Sequence, residues 1–209
     1  MVDKYRNFSE LSQHEIEGQD YEVIYRRSDS IFLVMAVHGG AIEVGTSEIA
    51  DAIAGKNFSF YTLKGIKEHG NADLHIKSTR FDEPQALSLL KRARIAITVH
   101  GRKRDGQTVY VGGLHLQLKE QLINALETAG FKATHQDFPS YKGLNFRNLC
   151  NLGQSKAGVQ LEISRGLRSA FFKPLGVIGR QTGSFDTFVG AVRNVLLMWQ
   201  KEYNNALFP

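Results

Sequence analysis

The segment IFLVMAVHGGAIEVGTSE, residues 31–48, decides the fold. Its first seven residues are all apolar, and the run ends at His38 and two glycines. An apolar run bounded by a turn signal is typical of a strand buried on both faces, as in a parallel sheet. The capping residues that follow predict a helix over 47–54, which stops at Gly55. Ligands of open α/β sheets bind beyond the carboxyl ends of strands, so His38 and Glu43 lie where a site is expected.

Strands and helices alternate along the rest of the chain. Six further segments have the apolar or alternating pattern of strands: residues 21–27, 58–63, 73–78, 94–99, 108–111 and 159–163. Helical spacing of apolar residues predicts helices over 83–92 and 115–129, and a long final helix that begins at Ser184. This order predicts an α/β fold in which helices flank a mixed, mainly parallel central sheet. Residues 1–209 contain no internal repeat and no Pro- or Ser-rich linker, so we expect a single domain.

The composition is that of a globular protein with a hydrophobic core. Hydrophobic residues make up 42% of the chain and charged residues 22%, and no apolar run approaches the length of about 18 residues that a transmembrane helix needs. The N-terminal segment MVDKYRNFSELSQHE lacks the apolar stretch of a signal peptide. The single cysteine, Cys150, excludes an internal disulfide. We therefore expect a monomeric cytoplasmic protein without a membrane partner.

Two strand-end histidines and two carboxylates form a candidate catalytic constellation. In RIAITVHGRKRDG, residues 94–106, a predicted strand again runs directly into His-Gly, so His100 repeats the pattern of His38. Two histidines and one carboxylate, here Glu43, are a common ligand set of catalytic zinc, which keeps a fourth position for water. Zinc lowers the pKa of bound water to about 7 but needs a nearby base. Glu162 is the candidate base, because a carboxylate on a core strand is costly to bury without a charge partner.

Each of these residues also has a structural interpretation. A histidine at a strand end is more often a structural residue than a ligand, and no short motif such as HExxH fixes the geometry here. Glu43 could instead stabilise the N-terminus of the following helix, a role worth about 0.3–1 kcal/mol. The remaining histidines lie in polar or helical settings and are interpreted as structural or solvent-facing: His14, His69, His75, His115 and His135. Among them, His75 could lie near the same sheet edge.

Four segments together carry a family resemblance. HGGAIEVGTSEIADAIAG, FDEP, TVHGRK and GVQLEISRGLR resemble the poly-γ-glutamate hydrolases of bacilli and their phages, and the resemblance runs from about residue 20 to the final helix. That family resembles the zinc carboxypeptidases in fold, but the first ligand pair is spaced His-x4-Glu here, wider than the His-x2-Glu of those enzymes. The resemblance implies zinc ligands at His38, Glu43 and His100 and a base at Glu162. One position departs from the family pattern, because Leu152 stands where a basic residue is common.

The substrate class that the resemblance implies would account for the basic charge. The chain has a net charge of +5 and a pI of about 9.3. In a γ-linked glutamate chain every residue keeps a free α-carboxylate, so the polymer is a polyanion. Arginine side chains can clamp carboxylates with two parallel hydrogen bonds. The candidate clamps are Arg102, Arg104, Arg165 and Arg168; Arg168 could equally have a surface or salt-bridging role.

Three other functions remain open at this point. A zinc amidase of the carboxypeptidase or acylase type, acting on a small amidated acid or a cell-wall peptide, would use the same metal chemistry. A nucleic-acid-binding module is suggested by the basic pI, but the RKR cluster is short and no aromatic-interleaved RNA motif accompanies it, so we expect no nucleic-acid partner. A catalytically silent binding protein is disfavoured because all four chemical positions are present. The resemblance implies a phage or prophage origin, with release from the cell by lysis.

Overall fold

The computed structural model describes residues 3–136, 142–175, 177 and 179–207. Within these residues one sheet is formed by strands β1 (Tyr21–Arg26), β2 (Phe32–Gly40), β3 (Ser59–Gly65), β4 (Ile95–Arg102), β5 (Thr108–Gly112), β6 (Lys132–His135) and β7 (Val159–Ser164). The strand order is β1-β3-β2-β4-β7-β5-β6. Only the β1–β3 and β5–β7 pairs are antiparallel; the other pairs are parallel. The mixed, mainly parallel sheet and the α/β class are therefore confirmed.

Helices flank the sheet on both sides. They are α1 (Phe8–Leu11), α2 (Thr46–Ala54), α3 (Pro84–Arg92), α4 (Leu116–Thr128), α5 (Arg165–Phe171) and α6 (Gly183–Leu207), with 3-10 turns at Asn71–Leu74 and Leu149–Asn151. The predicted α3 begins where the Glu83 carboxylate accepts two backbone N–H groups and Pro84 takes the first helical position. Among the helices described, none is both long and apolar enough to cross a bilayer.

Strand β2 lies in the middle of two hydrophobic cores, which explains its unbroken apolar sequence. Phe32 and Val34 face one core with apolar residues of α2, α4, α5 and α6. Leu33 and Met35 face the other core with residues of α1 and α3. Every residue from 32 to 39 is buried, as expected for an inner strand of a parallel sheet.

A β-bulge near the end of β2 breaks the alternation and turns His38 toward the second core. The register between β2 and β3 shifts between Ala36 and Gly39, where β2 has one residue more than β3. Val37 packs in the second core, and His38 faces the same side, where its Nε2 lies 2.7 Å from the carbonyl oxygen of Ile76. Bulges leave ladder groups unpaired and redirect side chains beside functional sites.

Hydroxyl groups bind the backbone that the bulge leaves unpaired. Thr62 Oγ1 donates to the carbonyl of Ala36 at 2.8 Å. Ser47 Oγ accepts the N–H of Gly40 at 2.9 Å, and the carbonyl of His38 accepts the N–H of Glu43 at 2.9 Å. These bonds join the end of β2 to the start of α2, so the loop that carries Glu43 is held beside the strand that carries His38.

Three sequence expectations about secondary structure were wrong or incomplete. The predicted strand 73–78 is a 3-10 turn followed by an irregular segment, because the Asp3 carboxylate, rather than a neighbouring strand, binds the N–H of Lys77 at 3.0 Å. Its alternating pattern reflects the burial of Leu74 and Ile76 in the second core. Strand β6 was missed because its four residues carry little apolar pattern. Helix α5, which was not predicted, follows β7 directly, and Ser164 accepts a backbone N–H at its start.

Candidate active site

Three of the predicted site residues converge at the carboxyl edge of the sheet. His38 lies near the end of β2, His100 lies near the end of β4, and Glu43 lies in the loop before α2. The two histidine Nδ1 atoms are 3.2 Å apart. Glu43 Oε2 lies 3.5 Å from Nδ1 of His38 and 3.8 Å from Nδ1 of His100. The two nitrogens and the oxygen therefore form a closed triangle.

Hydrogen bonds outside the triangle aim its three atoms inward. The Nε2–H of His38 donates to the carbonyl of Ile76, which leaves the Nδ1 lone pair facing the triangle in the neutral ring. His100 Nε2 lies 3.5 Å from the hydroxyl oxygen of Ser78, and Glu43 Oε2 accepts the N–H of Gly101 at 2.8 Å. Such outer partners are the usual means of orienting metal ligands.

The triangle fits a zinc ion in both size and chemistry. A tetrahedral ion with bonds of about 2.1 Å requires ligand atoms about 3.4 Å apart, and the three observed separations run from 3.2 to 3.8 Å. Imidazole nitrogen and carboxylate oxygen are ligands that suit zinc. Two bare Nδ1 lone pairs facing each other repel unless a proton or a metal ion lies between them. The residues present therefore form a set that can hold zinc.

The charges of the triangle are strongly coupled. Burial alone would raise the pKa of Glu43, but His38, His100 and the N–H of Gly101 hold it at about 2. Burial and the neighbouring His38 lower the pKa of His100 to about 3. Burial opposes the charged form of His38 as well, yet the Glu43 carboxylate outweighs it and the pKa of His38 is raised. Of the two histidines, His38 is therefore the one whose charged form the cluster favours, and a metal ion bound at the triangle would displace a proton from it.

A third histidine, His75, also belongs to the site. Its ring stacks on that of His38 with centroids 4.0 Å apart, and its Nδ1 lies 2.8 Å from Asp3 Oδ1. Ligand atoms of His38, Glu43 and His75 lie within 4.8 Å of one another, so this set could also hold an ion. The set with His100 is favoured because its three separations, 3.2–3.8 Å, match what a tetrahedral zinc ion requires. The sequence analysis interpreted His75 as a structural residue and so did not include it in the site. Its expected position near the same sheet edge was the feature that pointed to the site.

The candidate base Glu162 lies beside His100. The two residues are register partners on the parallel strands β7 and β4, so their side chains point to the same face of the sheet. Glu162 is buried, and its Oε1 accepts a hydrogen bond from Gln160 Nε2 at 2.7 Å. Burial, then the negative charge of Glu43, raise the pKa of Glu162 to about 8, although Arg102 and His38 oppose the shift. A carboxyl group with such a pKa can exchange a proton near neutral pH.

Two of the predicted arginine clamps lie at the end of β4. The guanidinium of Arg102 is buried, stacks 4.6 Å from the ring centroid of Tyr110, and donates from Nη1 to Gln136 Oε1 at 3.0 Å. Its charge lowers the pKa of Glu162, which places it near the base. Arg104 is exposed, with Cζ 6.0 Å from the centroid of the same ring.

The other two arginines belong to α5. Arg168 is buried and donates from Nε to the carbonyl of Ile163 at 3.2 Å, from Nη2 to that of Arg102 at 3.4 Å, and from Nη1 to that of Val44. These bonds join the Glu43 loop to the end of β4, and they occupy three of the five N–H groups of the Arg168 guanidinium. Arg165 is exposed. Burial lowers the pKa of Arg168, and the positive charge of Arg165 lowers it further, whereas the Glu43 carboxylate opposes the shift.

Gly101 is required for this packing, and its replacement by alanine should destabilise the protein. A Cβ at residue 101 would lie 2.7 Å from Arg168 Cζ and 3.0 Å from Glu43 Cβ, so both neighbours must move. Overpacking of this kind typically costs about 1–3 kcal/mol, and thermal melting of purified Gly101→Ala should report it. Gly106→Ala is the matched control, because nothing lies within 4 Å of its added Cβ. Equal melting temperatures of Gly101→Ala and Gly106→Ala would contradict the close packing around residue 101.

The fold and the site together define an α/β protein with the arrangement of a hydrolase: polar side chains converge on a buried carboxyl group at the carboxyl edge of the sheet. The chain belongs to the poly-γ-glutamate hydrolase family, whose sequence model matches residues 5–192. This is the family that the sequence resemblance predicted.

Relatives and solved structures agree with this assignment. The chain is 37% identical over 207 residues to the UPF0714 protein YmaC of Bacillus subtilis, an alignment that covers 97% of this chain and 86% of YmaC. A bacteriophage poly-γ-glutamate hydrolase structure matches with a TM-score of 0.91 and 30% identity over 95% of this chain and 98% of that one. A zinc-free apo structure of YndL matches with a TM-score of 0.88 and 35% identity over 94% and 98% of the two chains. The two likenesses confirm the fold class along nearly the whole chain.

Proposed function

We propose that the protein is a zinc-dependent hydrolase that cleaves the γ-glutamyl amide bonds of poly-γ-glutamate. The observation that carries the proposal is the triangle of His38, Glu43 and His100 beside the buried Glu162. Family membership adds the substrate class. The existence of a zinc-free form of the relative YndL supports the choice of metal.

The roles follow from the chemistry of each group. His38, Glu43 and His100 hold zinc, which supplies a positive charge that polarises the scissile amide carbonyl and acidifies a water molecule. Glu162 accepts the proton of the attacking water and then gives it to the leaving amine. The pKa of Glu162 set by the protein's own groups is about 8, and beside a cation it falls, because a nearby positive charge favours the carboxylate. Glu162 can therefore act as a base at neutral pH.

The arginines orient the polyanionic substrate in this proposal. Arg102 lies near Glu162, so a substrate carboxylate bound there is next to the reacting amide. Arg168 has two N–H groups beyond its three backbone bonds, and it also fixes the loop that carries Glu43. The exposed Arg104 and Arg165 can bind α-carboxylates of neighbouring units.

A comparison of two linkages tests the function. Purified protein should shorten poly-γ-glutamate, seen by gel filtration of the digest, and leave α-linked polyglutamate intact, because the two polymers place the free carboxylate at different distances from the amide. Chelation with EDTA should abolish cleavage, and added zinc should restore it together with one zinc per chain by elemental analysis. A zinc-loaded sample that cleaves both linkages equally, or leaves the γ-linked polymer intact, would instead favour a general zinc amidase.

A further inference from the structure

A cavity of about 530 Å³ is lined in part by Thr79 and Arg80, which follow Ser78 of the site in sequence. Its volume lies within the range of about 300–1,000 Å³ that is usual for ligand pockets. Three arginines line it, Arg6, Arg80 and Arg147, together with the apolar side chains of Phe81 and Leu152. Neither the predicted zinc ligands nor the predicted arginine clamps are among its lining residues.

Chain neighbours of two lining residues contact the active site. Ser78, which precedes the lining residue Thr79, has its Oγ 3.5 Å from Nε2 of His100, and Arg80 follows two residues later, a span of at most about 7 Å. Asn148, which follows the lining residue Arg147, donates from Nδ2 to Gln160 Oε1 at 2.9 Å, and Gln160 in turn donates to Glu162. The N–H of Leu149 donates to the carbonyl of Ser78 at 3.2 Å and so joins these two segments.

The cavity has an excess of positive charge. Arg6 forms an ion pair with Glu10, with Nε and Oε2 3.3 Å apart. Within the described parts of the chain, Arg80 and Arg147 form no ion pair. The guanidinium of Arg147 lies 5.5 Å from the ring centroid of Phe146, which supports it without neutralising it.

The lining also contains a carboxylate, Asp82, whose hydrogen bonds are made to the start of α1 rather than to the arginines. Asp82 Oδ1 accepts the backbone N–H groups of Phe8 at 2.6 Å and Ser9 at 3.2 Å, and Oδ2 accepts the Ser9 hydroxyl at 2.9 Å. Asp82 thus binds the start of α1. Arg80 and Arg147 are exposed, so an anion from solution can reach both guanidinium groups.

We propose that this cavity is a binding subsite for an α-carboxylate of the γ-linked chain, at a glutamate unit away from the scissile amide. The proposal rests on the proposed function and extends it to a second contact point. Each γ-linked unit consists of an aliphatic stretch with one free carboxylate. The aliphatic stretch packs on Phe81 and Leu152, and the carboxylate binds the guanidinium groups of Arg80 and Arg147. The subsite is filled only by substrates long enough to reach it.

Steady-state kinetics on two substrate lengths tests the subsite. In Arg80→Gln and Arg147→Gln, KM for long poly-γ-glutamate should rise about three- to tenfold, as expected for the loss of one charge-assisted contact. The kcat, the zinc content and KM for γ-linked triglutamate should stay unchanged. The double variant should also show a weaker dependence of KM on salt, because fewer charged contacts remain to be screened.

Arg27→Gln is the matched control. Arg27 is exposed and lines a separate cavity with Ser28, Ser30 and Ala93, at the opposite edge of the sheet from the site. The Arg27→Gln substitution therefore removes one positive charge without changing the proposed subsite. If Arg27→Gln raises KM as much as Arg80→Gln and Arg147→Gln, or if the latter two leave KM for the polymer unchanged, the subsite is refuted.

Direct binding separates failure of the subsite from failure of the proposed function. Calorimetric titration of long poly-γ-glutamate into Glu162→Gln protein, with and without the two arginine changes, measures affinity without turnover. Cleavage by the wild type with equal affinity of both proteins overturns the subsite and leaves the function standing. Absence of cleavage, with affinity that still depends on Arg80 and Arg147, overturns the function and supports the subsite.

Discussion

Replacing His100 with alanine is expected to remove bound zinc and hydrolysis together. His100 supplies one corner of the triangle, with Nδ1 3.2 Å from Nδ1 of His38, and two remaining ligands hold zinc weakly. Loss of an outer partner alone typically costs about 10–100-fold in metal affinity or activity, so loss of a ligand should cost more than about 100-fold. His38→Ala should have the same effect. Elemental analysis after gel filtration and the polymer-shortening assay measure the two losses.

A parallel series decides which histidine completes the ligand set. His75→Ala should keep stoichiometric zinc, because His38, Glu43 and His100 already bring three ligand atoms to separations of 3.2–3.8 Å. His69→Ala is the control for a general effect of histidine loss, since that side chain is 89% exposed. Retention of zinc by His100→Ala together with its loss from His75→Ala would assign the third ligand to His75 instead.

Glu162→Gln is expected to retain zinc and lose most of the rate. Glutamine has nearly the same size as glutamate and can still accept the hydrogen bond from Gln160, but it cannot accept a proton from water. General acid–base catalysis is typically worth about 10²–10⁴-fold, so kcat should fall by that order. Glu127→Gln, at an exposed position of α4, should leave kcat unchanged. Loss of zinc from Glu162→Gln would make Glu162 a ligand rather than the base.

The same variant should change how stability depends on pH in EDTA-treated protein. The pKa of Glu162 in the fold, about 8, exceeds its ordinary value of 4.5, so the folded protein keeps a proton that the unfolded chain releases. The contribution of Glu162 to stability is therefore complete below pH 4.5 and is lost as pH rises through about 8. Glu162→Gln removes this loss. Its melting temperature relative to wild type should increase steadily between pH 5 and 8, and a constant difference would contradict the raised pKa.

The sheet and most of the triangle could be predicted from sequence because both depend on simple patterns. Two apolar runs that each end in His-Gly read as inner parallel strands, and parallel strands bring their carboxyl ends to one edge. His38 and His100 were therefore expected to be close. Glu162 was identified by the contrast between a carboxylate and its apolar strand. Such patterns involve neighbouring residues in sequence, although the contacts that they predict join distant parts of the chain.

The remaining features depend on contacts between distant segments, which no local pattern encodes. His75 reaches the site because Asp3, far away in sequence, binds its ring. Arg168 is a charged residue, a type that is mostly exposed, yet it is buried among backbone carbonyls. The close approach of Arg168 and Glu43 to Gly101 is likewise visible only once α5 is in place.

The bulge in β2 has a consequence for reading the sequences of relatives. The direction of His38 depends on hydroxyl groups that never touch a ligand: Thr62 on the adjacent strand binds the carbonyl of Ala36, and Ser47 binds the N–H of Gly40. A relative that keeps both histidines and Glu43 but has valine or alanine in place of Thr62 and Ser47 has the same residue types at the site but lacks the hydrogen bonds that orient His38. An inventory of ligands alone would count such a protein as active. Under the proposed function, the hydroxyls of Thr62 and Ser47 should therefore be compared together with the histidines when relatives are searched for the same zinc site.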